Sequence, residues 1–325
     1  MDKVRLLNRE SALEYLPNLS KELGPEIYVK RDDEGGRGGG GNKLRKYERI
    51  IADAMNKQCN TLIIAGHYQS NAARELVAAA CQLGLTAIVV CKEMIPEQNP
   101  SFNKNGNALL MSLMDATIVA IDNEADFDIE MAKVAEDVKL NGGKPYTIPF
   151  GGSNFLGSLG YVDCANEIIN QFESISLEPP DYVFVPTGSG GTHAGLVSGF
   201  NMQNVKTKVM GVSVLHNKSN AQKVVQSLTT EILGKLKGKG SSQPDIMVDD
   251  QFVGAGYGIP TEKGIEAIRL VAKLEALFLC PIYTGKAMAG LIHSIREGQI
   301  TAKDRVVFLH TGGTPMVYPY YDKYV

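Results

Sequence analysis

The stretch DYVFVPTGSGGTHAGLVSGF, residues 181–200, decides the fold. Its first part, Tyr182 to Pro186, is apolar throughout, as a strand buried on both faces must be, and such strands belong to parallel sheets. TGSGGT then reads as a tight turn, and the remainder as a helix. Glycines at Gly188, Gly190 and Gly191 let backbone N–H groups converge on one anion, and a helix N-terminus adds positive potential there. Thr187, Ser189 and Thr192 add hydroxyl donors. A dinucleotide fingerprint needs G-x-G-x-x-G. Gly188 and Gly190 fit it, but His193 occupies the third glycine position. The next strand, KVMGVSVL, ends without the acidic residue that would hold a ribose, and no GK[ST] follows a glycine loop. The expected ligand is therefore a small phosphate monoester, and not NAD or ATP. The alternative is a strand-to-helix turn that binds nothing.

The same alternation extends along the chain. IYVKR, TLIIAG, TAIVVC, ATIVAI, YTIPF, VMGVSV, LFLCPIY and RVVFLHTGG read as strands. Apolar residues spaced near 3.6 predict helices over Leu44 to Met55, Ala72 to Leu83 and Phe127 to Leu140. Alternating strands and helices predict parallel sheets covered by helices. SLEPPD (176–181) and PYTIPFGGSN (145–154) interrupt the pattern. We expect two three-layer α/β domains, the smaller spanning 47–153 and the larger 1–46 with 154–325. LKGKGSSQPD (236–245) reads as a solvated loop.

Composition narrows the function. The chain has 325 residues, 44% of them hydrophobic, with a net charge of -3. That balance gives no electrostatic reason to expect nucleic acid or an acidic membrane surface. No apolar run is long enough to span a bilayer. MDKVRLLNRESALEYL lacks the apolar core of a secretion signal, so the expected compartment is the cytoplasm. Cys59, Cys81, Cys91, Cys164 and Cys280 are odd in number with no C-x-x-C pair, and the five histidines are scattered, so neither disulfides nor a metal site is expected.

Other short stretches carry possible chemistry. In GGGGNKLRKYE (38–48) Lys43 follows four glycines at a helix entrance. A deprotonated lysine forms a Schiff base with a carbonyl compound, and the glycines would remove bulk beside it. An aldehyde with a single phosphate is pyridoxal 5'-phosphate (PLP), which joins this lysine to the phosphate turn. In AGHYQSNAAR (65–74), Gln69, Ser70 and Asn71 stand at a helix start. Ser70 there is either a simple N-cap or part of a carboxylate site built on the orphan N–H groups. GAGYGIP and CPIYTGKAM place Tyr257 and Tyr283 in turns, where a hydroxyl can move protons or bind a cofactor. Thr311 sits at the tip of the strand FLHTGG, and ligands bind beyond the carboxyl ends of such strands.

These stretches together resemble the D-cysteine desulfhydrase/1-aminocyclopropane-1-carboxylate (ACC) deaminase family, PLP enzymes of the tryptophan synthase β-like fold (fold type II). The resemblance rests on LEYLPNLSKELGPEIYVKRDD, GGNKLRKYE, QSN, PFGGSNFLGSLGYV, TGSGGTHAGL, AGYGIP, PIYTGKAMAGL and HTGG, in that order along nearly the whole chain. It implies that Lys43 is the Schiff-base lysine and that Asn71 meets the ring hydroxyl. Thr187, Gly188, Ser189, Gly190, Gly191 and Thr192 would bind the phosphate, and Thr311 would face the pyridine nitrogen. Gln69, Ser70, Asn71, Tyr257 and Tyr283 would bind substrate, with Ser70 and both tyrosines catalytic. A homodimer and a small amino-acid substrate are implied as well. The family usually reads QSNH or QSNQ, whereas this chain has Ala72. Thr284 and Thr311 match the desulfhydrase branch, since the deaminase branch usually carries glutamate and leucine there. The implied reaction is β-elimination, D-cysteine giving pyruvate, sulfide and ammonia. ACC deamination or elimination of another β-substituent is the alternative, and a PLP or amino-acid binding protein without turnover is the second.

Overall fold

The computed structural model describes residues 2–96, 99–236 and 244–324. In chain order the elements are β1 (Leu13–Tyr15), α1 (Pro17–Leu23), β2 (Glu26–Lys30), α2 (Lys43–Asn56), β3 (Thr61–Gly66), α3 (Asn71–Leu83) and β4 (Thr86–Cys91). Then follow α4 (Gly106–Leu113), β5 (Thr117–Ala120), α5 (Phe127–Leu140), β6 (Pro145–Ile148), α6 (Phe155–Ser174), β7 (Tyr182–Thr187) and α7 (Gly191–Met202). The chain closes with β8 (Lys208–Ser213), α8 (Lys218–Leu236), β9 (Met247–Asp249), α9 (Glu262–Glu275), α10 (Thr284–Arg296) and β10 (Arg305–Leu309).

Two sheets form. The larger has the order β1-β2-β10-β7-β8-β9, parallel except for β1, and the smaller has the order β5-β4-β3-β6, parallel throughout. Each is covered on both faces, which the alternation of strand side chains requires. In β7, Val183 and Val185 enter the core beneath α6, α7 and α8, whereas Phe184 enters the core beneath α1, α9 and α10. In β3, Leu62 and Ile64 pack with α2 and α3, whereas Ile63 and Ala65 pack with α5. Pro186 sits past Phe184, the last β7 residue in register with β10, so its missing N–H breaks no ladder on that side. Among the described residues, no helix is long and apolar enough to cross a membrane.

Most expected elements form, with two differences. LFLCPIY is not a strand: residues 277–283 run as irregular chain into α10, with the Cys280 N–H held by Thr284 Oγ1 at 2.7 Å and the Tyr283 N–H by Cys280 Sγ at 3.3 Å. These local bonds take the groups a ladder would use. The three-residue strands β1 and β9 lie at the two edges of the larger sheet and are too short to show a period. Residue 47 falls inside α2, and Leu44, Tyr47, Ile50 and Ile51 of that helix share a core with the smaller sheet. Most of the loop expected at 236–245 lies outside the described residues.

Candidate active site

One cavity lies between the two sheets, where the carboxyl ends of β3, β7 and β10 meet. Lys43, Ser70, Asn71, Thr187, Gly188, Ser189, Gly190, Thr192, Tyr257, Tyr283 and Thr311 all line it. It is the crevice that open parallel sheets offer to ligands.

Lys43 is the first residue of α2, and an unusual cap sets its position. Asn42, the N-cap residue, makes no side-chain capping bond to the helix backbone. Instead the carboxylate of Glu75, on α3, accepts the Lys43 N–H at 2.7 Å and the Leu44 N–H at 3.1 Å. Arg74 beside it donates to the carbonyls of Gly38 and Gly40, and stands 3.4 Å from Glu75. This explains the glycine run differently from the sequence reading. Gly38 to Gly41 are absent from the cavity wall. All four have positive φ, and a Cβ on Gly41 would lie 2.5 Å from Glu75 Cδ. The glycines let this loop close onto α3. Burial lowers the pKa of Lys43 from the usual lysine value, against an opposing pull from Glu75. Its Nζ donates to Asn42 Oδ1 at 2.9 Å, and Asn42 Nδ2 donates to Thr192 Oγ1 at 3.0 Å.

The glycine turn after β7 is shaped for an anion. Gly190, with φ 82°, begins α7 without a side-chain cap. The Gly191 N–H donates to Ser153 Oγ at 3.2 Å, and Ser153 Oγ lies 2.7 Å from Ser189 Oγ. The N–H groups of Ser189, Gly190 and Thr192 have no acceptor among the described residues. A helix N-terminus with unspent donors is a ready site for an anion. Lys46, one turn along α2 from Lys43, supplies the countercharge. It is 1% exposed, lines the cavity, and donates to Gly151 O at 3.1 Å and Ser153 Oγ at 3.0 Å. Burial, reinforced by Lys43, holds its pKa well below the usual lysine value, which an arriving phosphate would reverse. A Cβ on Gly191 would lie 3.0 Å from Lys46 Nζ and 2.6 Å from Ser153 Oγ, so glycine is required there. Gly191 itself is not in the wall; it backs the turn through Ser153.

The N-terminus of α3 forms the opposite wall. Ser70 caps the helix, its Oγ accepting the Ala73 N–H at 3.1 Å. The N–H groups of Asn71 and Ala72 have no acceptor among the described residues. Ala72 carries no polar side chain but keeps a donor at a helix N-terminus. Asn71 Oδ1 accepts from Asn107 Nδ2 at 2.7 Å, which fixes the amide. Gln69 does not reach the cavity. It is 0% exposed, its amide N–H groups go to the Phe102 and Asn105 carbonyls, and its oxygen accepts the Asn107 N–H at 3.0 Å. Leaving those buried groups unpaired would cost more than a solvent-facing contact returns, so Gln69 braces the loop.

Tyr257 and Tyr283 meet in the cavity wall, their hydroxyls hydrogen-bonded to each other. Burial pushes Tyr257 up to about 12 and Tyr283 well above the usual tyrosine value, so both stay protonated and act as donors. Thr284 lies outside the wall, capping the 280–284 turn, whereas Thr311 is in it. Lys46, Ser153, Phe150, Gly151 and His67 join the site without having been singled out beforehand. For Lys46 the only signal was its place one turn after Lys43.

A lysine with depressed pKa, an anion cup with a countercharge and an amide-rich helix end on the facing wall together define an enzyme built around a phosphorylated aldehyde cofactor. The chain belongs to the pyridoxal-phosphate dependent enzyme family, whose model matches residues 4–312. Its cofactor is PLP and its fold is the tryptophan synthase β-like fold. It is 40% identical over 320 residues to a D-cysteine desulfhydrase of Salmonella paratyphi C, covering 98% of this chain and 96% of that protein. A D-cysteine desulfhydrase of Salmonella typhi is 39% identical over 319 residues, with the same coverage of each chain. Among solved structures, an ACC deaminase homologue superposes with a TM-score of 0.88 at 34% identity, covering 100% of this chain and 95% of the other.

Proposed function

We propose that the protein is a lyase that eliminates the β-substituent of a small amino acid, with D-cysteine as substrate and pyruvate, sulfide and ammonia as products. The observation that carries this reading is the placement of Lys43 between an anion cup on one sheet and free helix N–H groups on the other. The identity to D-cysteine desulfhydrases over almost the whole chain supports it.

PLP, when bound, supplies an electron sink for negative charge at the substrate α-carbon. The rest falls to residues of this chain. Ser189, Gly190, Thr192 and Lys46 would hold the phosphate. Lys43 would hold the cofactor until the substrate's own amine takes that place, and burial favours the neutral form of the lysine amine so released, which could then accept the α-proton. Ser70 Oγ with the Asn71 and Ala72 N–H groups grips the substrate carboxylate. Asn71 and Thr311 would orient the ring. Tyr257 and Tyr283 form a hydroxyl pair that can hydrogen-bond the departing group. We also read residues 47–153 as the smaller domain, and the molecule as a cytoplasmic homodimer, which sedimentation would test.

The test is release of pyruvate, sulfide and ammonia from D-cysteine and L-cysteine, beside 2-oxobutanoate from ACC. Borohydride reduction should fix the cofactor to the peptide holding Lys43. More efficient turnover of ACC than of either cysteine would transfer the chain to the deaminase reading.

A further inference from the structure

The cavity wall contains a histidine that the chemistry above leaves unused. His67 follows the carboxyl end of β3, is 4% exposed, and lines the cavity beside Ser70 and Tyr257. Both ring nitrogens are engaged. Nδ1 lies 3.2 Å from the backbone nitrogen of Gln69. A backbone amide can only donate, so Nδ1 must be the bare nitrogen and the ring proton sits on Nε2. Nε2 lies 3.0 Å from the Tyr257 hydroxyl, and the two rings meet edge to face at 5.7 Å between centroids. Burial holds the ring neutral, with its pKa pushed down to about 4.

Direction follows from this start. His67 donates to the Tyr257 oxygen. Tyr257 oxygen is bonded in turn to Tyr283 oxygen. When each hydroxyl accepts once and donates once, Tyr257 spends its proton on Tyr283, and the Tyr283 proton turns into the cavity. The reverse order would make Tyr257 accept twice and leave Tyr283 accepting from neither neighbour.

We propose that His67 is a positioning residue that fixes the order of protons along Tyr257 and Tyr283, so that Tyr283 presents its hydroxyl proton to the departing β-substituent. This rests on the elimination reading above. The contribution is a hydrogen bond and not a proton transfer, because burial keeps the proton on Tyr283. Its worth scales with the charge that the leaving group must carry. It is small for chloride, larger for hydrosulfide, which is the more basic leaving group, and largest for hydroxide.

The experiment uses the PLP-loaded enzyme and the variants His67→Phe, which fills the space without a donor, and His67→Gln, whose amide N–H reaches toward the same hydroxyl. Turnover is measured on β-chloroalanine, cysteine and serine of the active enantiomer. Imidazole 15N shifts are recorded for the five histidines, with His67 assigned by its loss in the Phe variant. We expect kcat on cysteine to fall about tenfold in the Phe variant, the size of one misdirected hydrogen bond. Serine should lose more, β-chloroalanine should stay within about twofold, and Gln should restore most of the cysteine rate. The His67 signals should be those of a neutral Nε2–H ring. Equal losses on all three substrates would overturn the proposal, as would an Nδ1–H or doubly protonated ring at neutral pH. If the unaltered enzyme eliminates from none of them, the elimination reading falls and this role with it, while the 15N tautomer still decides the order of the hydrogen bonds.

Discussion

Glu75 offers the most demanding test of how the lysine is held. Its side chain and that of Arg74 are both 0% exposed, and its carboxylate accepts two N–H groups at the start of α2. Replacing it by leucine strands those two donors and leaves Arg74 without its only carboxylate neighbour among the described residues. A buried donor left unsatisfied costs about 1–3 kcal/mol, and breaking a buried ion pair costs about 3–5 kcal/mol. The two overlap, so Glu75→Leu should lose about 3–5 kcal/mol, a large share of a fold's usual margin of about 5–15 kcal/mol. Glu75→Gln keeps the shape and an oxygen that can accept both N–H groups. Neutral hydrogen bonds are about half as strong as charge-assisted ones. Burial also disfavours the charged carboxylate, raising the Glu75 pKa, so removing the charge returns part of the loss. The Gln variant should therefore lose only about 1–2 kcal/mol. Urea unfolding of the cofactor-free protein, followed by circular dichroism because the chain has no tryptophan, measures both. A Leu variant within about 0.5 kcal/mol of the parent would refute the capping argument, since that is the range of an inert surface change. So would a Gln variant less stable than the Leu variant.

Lys46→Met should weaken PLP binding about 10- to 100-fold, the loss of one charge-assisted contact of about 1.5–3 kcal/mol; fluorescence titration of the cofactor-free protein checks it. Gly190→Asp should retain less cofactor on dialysis than Gly190→Ala. Both strain a residue at φ 82° whose Cβ would lie 2.9 Å from Val224 Cγ1, but only aspartate adds repulsion. Acid should destabilise the fold through His67 and His193, both pushed down to about 4 by burial. The unfolded chain takes up these protons near its ordinary value of about 6.5, so the stability present above that pH is lost as pH falls toward about 4, by up to on the order of 3 kcal/mol per histidine. His193→Gln should make that decline shallower in urea titrations at successive pH values.

The sequence by itself determined what depends on neighbours a few residues apart. The 181–200 strand, turn and helix form as expected, and so do α2, α3 and α5, because their apolar periods are local and because Ser70 and Asp126 cap their own helices. That Lys43, the 187–192 turn and the two tyrosines line one cavity was legible because each sits in a glycine- or proline-bounded turn of restricted chemistry. Only the tertiary structure decided the rest. Residues 277–283 are apolar enough for a strand, yet their backbone bonds are taken by Thr284 and Cys280. Gly38 to Gly41 looked like room for a cofactor and are instead the face that closes on Arg74 and Glu75. Lys46 meets Gly151 and Ser153, residues 105 and 107 positions away, and His67 meets Tyr257 across 190. Such contacts depend on how the two sheets face each other, and no local period or propensity encodes that distance.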